Sequence, residues 1–112
     1  MDTNNKEFID VEDALKRVGG NEGLYKRLLG RFIDGDHFGA LESAIQSGDT
    51  EESAHLAHTL KGVSANLSLA KVTALSAELE QAIKNGNDYA ALLSDLKQAY
   101  ETTLKKISEI SG

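Results

Sequence analysis

The chain has 112 residues, of which 40% are apolar but only 5% aromatic, and 18 acidic against 12 basic residues leave a formal charge of -6. That length suits one core rather than two folding units. An acidic chain with no run of Lys or Arg argues against a nucleic-acid partner, and a chain without Cys has neither disulfides nor thiolate metal sites.

The opening MDTNNKEFID has no basic start followed by an apolar stretch, and no later segment approaches the roughly 20 apolar residues of a membrane span. We therefore expect a soluble, cytoplasmic chain without membrane insertion, a single domain over residues 1–112, either free-standing or part of a hybrid sensor kinase. Pro is absent and no short alternating run marks a strand, so the elements should all be helices, packed through Leu, Ile, Val and Ala.

Asp10 and Asp13 predict a helix start and Gly19-Gly20 its stop, giving a short helix over about residues 11–18. Asn21 caps the next, in which Tyr25, Leu28, Leu29 and Phe32 recur at helical spacing up to a break at Gly35-Asp36. Phe38, Leu41 and Ile45 resume the pattern until Ser47-Gly48-Asp49. Asp49, with Glu52 three residues on, opens a helix that should reach about Leu67. Val72, Leu75, Leu79 and Ile83 form the next stripe, which Asn85-Gly86-Asn87 ends. Tyr89, Leu93, Leu96, Tyr100, Leu104 and Ile107 carry the last helix nearly to the C-terminus, with both tyrosines on its core side. The expected architecture is an antiparallel up-down four-helix bundle with a short N-terminal helix laid across it.

The helix after Asp49 carries the chemistry. At about 100° per residue, Leu60, Val63 and Leu67 fall within about 40° of Leu56 and should form its buried stripe. His58 lies about 200° from Leu56, with Ala54, Ala65 and Gly62 on the same side, all directed toward solvent. A solvent face normally carries Glu, Lys and Gln, so small residues around a histidine clear a flat area for an approaching group. Gly62 in mid-helix costs about 1 kcal/mol relative to Ala, which asks for a reason such as a partner's close approach. Lys61, three residues beyond His58, can reach toward whatever the ring carries and screen the roughly two negative charges of a phosphoryl group.

Ala57-His58-Thr59-Leu60-Lys61-Gly62, followed by Val63-Ser64-Ala65-Asn66-Leu67, closely resembles the signature of the histidine phosphotransfer domain family. Ile9-Asp10, Ala14-Leu15, Gly19-Gly20, Leu24-Tyr25 and the stretch Leu75, Leu79, Glu80, Ala82 resemble the rest of such domains. The resemblance implies a phosphorelay carrier in two-component signalling rather than a stand-alone enzyme. His58, through Nε2, would accept a phosphoryl group from the aspartyl phosphate of one receiver domain and pass it to an aspartate of another. Lys61 would steady the phosphoryl group and Gly62 would leave room for the receiver. The partners implied are receiver domains and a hybrid sensor histidine kinase; the chain itself would be a monomer without cofactor or metal, magnesium belonging to the receiver.

Two positions depart from the family pattern: Ser68, where many members have glycine, and Glu80, where some have a glutamine that assists the histidine. Neither is expected to touch the phosphoryl acceptor, although Glu80 could orient the imidazole through its other ring nitrogen; Gln81 is a weaker candidate for that task. Two rival readings are a bundle that binds receivers without transfer and a metal-binding bundle built on the Glu52 and His55 pair with Glu51 and His58 nearby. The metal reading lacks a second Glu-x-x-His pair. A kinase-fed module, as in chemotaxis kinases, would also need an external donor, because nothing here resembles a nucleotide site. His55 and His37 are read as solvated helix residues.

Overall fold

A computed structural model describes residues 7–111. Met1–Lys6, on which the expected lack of a leader partly rests, lie outside the described residues. The described elements are helices: α1 (Val11–Arg17), α2 (Glu22–Asp34), α3 (His37–Gln46), α4 (Thr50–Asn66), α5 (Ala70–Asn85) and α6 (Ala90–Ser111).

The helix starts follow from side chains that satisfy the orphan backbone N–H groups of a first turn. Asp10 accepts from Asp13 N–H, Asn21 from Leu24 N–H and Asp49 from Glu52 N–H, as the cap signals in the sequence predict. Ile9 and Ala14, on either side of the first cap, are both buried and fix the entry angle of α1. Gly86, at φ 70°, closes α5 in the left-handed conformation that glycine adopts without steric cost.

The broken arm α2–α3 packs through α3 on α4 and through α2 on α6, while α4 packs on α5 and α5 on α6, which closes the helices around one core. That core is built from Leu29, Phe32, Leu41, Leu60, Leu79, Leu96, Tyr100 and Ile107, among others. At the break, Asp36 sits in the left-handed region at φ 42°, and its carboxylate accepts from Gly39 N–H. His37 follows, and here the expectation of a solvated histidine fails. Its ring stacks on Phe32 with centroids 5.1 Å apart, and its backbone N–H donates to the Tyr100 hydroxyl at 3.1 Å. Loss of water around the ring lowers its pKa.

The buried stripe of α4 also differs from the expected one. Ser53, Ala57, Leu60 and Ser64 are buried, with Leu67 following, whereas Leu56 and Val63 are half-buried at its margins. The reason is close packing of α4 on α5: small side chains let the backbones approach, and each serine bonds locally. Ser53 Oγ donates to the Asp49 carbonyl at 2.7 Å, and Ser64 Oγ shares a 2.8 Å hydrogen bond with Thr73 Oγ1 across the two helices. On α5 the buried set is Val72, Ser76, Leu79, Glu80, Ala82 and Ile83; Leu75 lies half-buried at its edge.

A buried turn, Leu67–Ser68–Leu69, joins α4 to α5 and is held from outside the pair. Tyr25 donates its hydroxyl to the Leu67 carbonyl at 3.0 Å, and Asp10 N–H donates to the Ser68 carbonyl at 2.9 Å. Ser68 sits at φ 57°, a conformation glycine adopts more readily, and its hydroxyl donates to Asp13 at 2.7 Å, which offsets the strain and ties α1 to the turn. The α4–α5 register that positions the site is therefore fixed at this end by α1 and α2.

Candidate functional site

Two adjacent helices supply the site, α4 with His58, Lys61 and Gly62 and α5 with Glu80 and Lys84. The His58 side chain is 61% exposed, so its ring stands clear of the core. Glu80, 22 residues further along, has only 3% of its side chain exposed, yet its carboxylate reaches the ring. His58 Nδ1 lies 3.1 Å from Glu80 Oε2 and 3.3 Å from Oε1. Glu80 thus reaches His58, which the first expectation for it denied, and does so at the ring nitrogen through which it was expected to be able to orient the imidazole. A position two-thirds of the way along α5 faces α4 at the level of His58, and a side chain of Glu length spans the gap.

Burying an ionised carboxylate is costly unless other groups compensate it. Three do so here. Lys84 Nζ lies 2.8 Å from Oε2, Lys61 Nζ 3.1 Å from Oε1, and His58 Nδ1 takes the remaining approach. The Lys84 hydrogen bond first, then the Lys61 hydrogen bond and the charges of both ammonium groups, outweigh burial and hold the Glu80 carboxyl down to about 2. At neutral pH the carboxylate is thus an acceptor only, so Nδ1 must be the protonated nitrogen of a neutral His58 ring. Nε2 then carries the lone pair and, among the described residues, has no partner.

Lys61 lies beside His58 as its spacing predicts, but its ammonium is committed to Glu80 rather than standing free. Gly62 is exposed, and a Cβ added there would meet nothing within 4 Å, so the surface beyond the histidine is open. Ala54 and Ala65 are half-buried rather than fully on the solvent face. Ala54 lines a hollow beside His58 and Glu80, with Thr50, Glu51, His55, Ile83 and Lys84 completing it. Leu28 and Phe32 of α2, His37 of α3 and Val63 of α4 line a mostly apolar groove. Gln81 is exposed and forms no hydrogen bond with the ring. His55 is exposed, and among the described residues no three His, Asp or Glu side chains converge as a metal-ligand set.

Lys84 is the site residue that the sequence reading missed. Its signal was present: a Glu followed four residues later by Lys on one helix is the favourable order for an ion pair. That spacing is common on helix surfaces, and only the burial of Glu80 gives it weight.

The family model described as the Hpt domain matches residues 28–108, from the middle of α2 almost to the end of α6, and so includes every residue of this site. The chain belongs to the histidine phosphotransfer domain family, whose members carry phosphoryl groups on histidine in the phosphorelays of two-component signalling. Comparisons with curated proteins and with solved structures each return no match. Among the described residues no helix is long and apolar enough to cross a membrane.

Proposed function

We propose that His58 is the phosphoryl carrier, accepting from the aspartyl phosphate of one receiver domain and donating to an aspartate of a second. The observation that carries this reading is the exposed ring whose Nδ1 is held by a buried carboxylate, leaving Nε2 as the nucleophile. In the forward step the Nε2 lone pair forms the N–P bond while the P–O bond to the receiver's aspartate breaks, its electron pair returning to that carboxylate. The ring keeps its proton on Nδ1, and the positive charge it gains is stabilised by Glu80 at 3.1 Å. Passing the phosphoryl group to the second aspartate reverses these changes, and the ring returns to its neutral form.

Lys61 is the residue that steadies the phosphoryl group, turning from Glu80 as the new negative charge arrives one helical turn away. Gly62, with Ala54 and Ala65 flanking, leaves the docking surface open to the receiver. We take the chain as a single domain, an antiparallel up-down four-helix bundle in which α2 and α3 form one broken arm. Its setting is cytoplasmic and monomeric, with a hybrid sensor histidine kinase as the source of the first receiver.

The test is incubation with a receiver domain phosphorylated on its aspartate, with magnesium, followed by mapping of the added phosphoryl group under non-acidic conditions. Acid-labile label on His58, lost in His58→Gln while that variant melts as the parent does, is the expected result. A folded protein that takes no label from several receivers would favour a bundle that binds receivers without transfer.

A further inference from the structure

The buried carboxylate holds two lysines, and the two are not equivalent. Lys61 shares α4 with His58 and pairs with Oε1, whereas Lys84 lies one turn further along the same helix as Glu80 and pairs with Oε2. Oε2 is also the oxygen nearer the ring nitrogen, at 3.1 Å from His58 Nδ1. Lys84 thus grips the atom that receives the ring's proton, and with the shorter contact, 2.8 Å against 3.1 Å for Lys61. Because both ends of its ion pair lie on α5, nothing that happens to α4 or to the ring needs to break it.

That asymmetry matters once the ring is phosphorylated. Before transfer, two ammonium groups and one carboxylate leave the cluster one unit positive. A phosphoryl group adds roughly two negative charges, and it draws the cation nearest to it. If Lys61 turns to the phosphoryl group, Glu80 stays buried with Lys84 as its remaining cation. Without Lys84, a buried anion would then face a dianion with no neighbouring positive charge except the ring, and it would be driven to withdraw from the ring or to take the Nδ1 proton.

We propose that Lys84 is a positioning residue for phosphoryl transfer: it anchors the Glu80 carboxylate against His58 Nδ1, keeping the proton on that nitrogen so that Nε2 is the nucleophile before transfer and the leaving atom after it. The proposal rests on the assignment of His58 as the carrier, but its first readout does not. Lys84 touches neither the ring nor, by its length and place, needs to touch the phosphoryl group. Its half-exposed side chain contributes little to the core, so its variants should fold.

The experiment compares the wild-type protein, Lys84→Met and Lys84→Arg by nitrogen NMR of the His58 ring at pH 8 in the unphosphorylated state, and by the initial rate of phosphoryl uptake from a phosphorylated receiver. Lys84→Met should move the neutral ring away from the Nδ1–H form and slow uptake about tenfold, as loss of a group orienting a functional histidine does. Receiver affinity should stay unchanged and the variant should remain folded, with at most a modest fall in melting temperature, and Lys84→Arg should restore both readouts. An unaltered ring in Lys84→Met would overturn the proposal, and so would slowed uptake without a tautomer change, which would place Lys84 at the receiver instead. A wild-type protein that takes no label but loses the Nδ1–H form in Lys84→Met would sink the carrier assignment and leave the positioning role standing.

Discussion

The α4–α5 contact and helix α6 bury polar side chains in different ways. Between α4 and α5, Ser64 pairs with Thr73, and Glu80 with His58, Lys61 and Lys84. On α6, Thr103 is a buried hydroxyl with no hydrogen-bond partner among the described residues, and Ser76 on α5 is another. A buried polar group adds stability only when it is satisfied, so the α4–α5 contact is specified by its partnered groups, whereas Thr103 on α6 is buried by packing despite its hydroxyl. The chemistry sits on the specified contact, where a register shift of one residue would separate Glu80 from His58.

Glu80 offers the sharpest way to break this contrast. Its carboxyl is held at about 2 in the folded protein against an ordinary 4.5, so it contributes stability that is present above pH 4.5 and is lost as pH falls through about 2. Because both lysine partners lie partly in water, screening should reduce that contribution to about 2 kcal/mol or less. Urea unfolding from pH 6 down to pH 2 should show Glu80→Gln less stable than the parent at the upper end, with the two curves converging toward the acid end. Parallel curves would mean that the ion cluster is stability-neutral and that the contact is held, like α6 around Thr103, by packing.

The turn that sets the α4–α5 register supplies the next test. Tyr25 is buried, and burial pushes its phenol up to about 12 while its hydroxyl donates to the Leu67 carbonyl. Tyr25→Phe removes that donor and leaves a buried carbonyl unpaired, for a loss of about 1.5 kcal/mol in the midpoint-derived unfolding free energy. If register depends on this bond, the same variant should also broaden or shift the His58 ring resonances, although the ring is far along α4 from the substitution. Unchanged resonances with reduced stability would make the turn a matter of stability alone.

Much of this was legible in the sequence because it is written in local chemistry. The Asp10, Asn21 and Asp49 caps, the break before Asp36 and the exposed His58 follow from residues within a turn or two of each other. The misreadings have a common physical origin in tertiary packing. A wheel centred on Leu56 favours the most apolar side chains, whereas the close approach of α4 to α5 buries Ser53, Ala57 and Ser64 and leaves Leu56 and Val63 at the margin. His37 is half-buried against the Phe32 ring, and its backbone N–H is tied to Tyr100, neither of them a neighbour that helical spacing identifies. Glu80 was suspected of reaching the ring, but its burial, and with it the meaning of Lys84, depends on how two helices meet.

The smallest expected effect tests the other side of the comparison. Thr103 is fully buried on α6 and its hydroxyl pairs with nothing among the described residues, so Thr103→Val replaces that hydroxyl by a methyl group of similar shape. Removing an unsatisfied buried hydroxyl should be neutral or raise stability by up to about 1 kcal/mol, and Val, which is β-branched like Thr, brings no new cost in helix propensity. The same change at a partnered hydroxyl, Thr73→Val, should have the opposite sign, because it leaves Ser64 Oγ without its partner across α4 and α5. Thermal melts of the two variants side by side therefore read the contrast directly. If Thr103→Val destabilises as much as Thr73→Val, its hydroxyl is satisfied after all, and the packing of α6 is as polar-specified as the contact that carries His58.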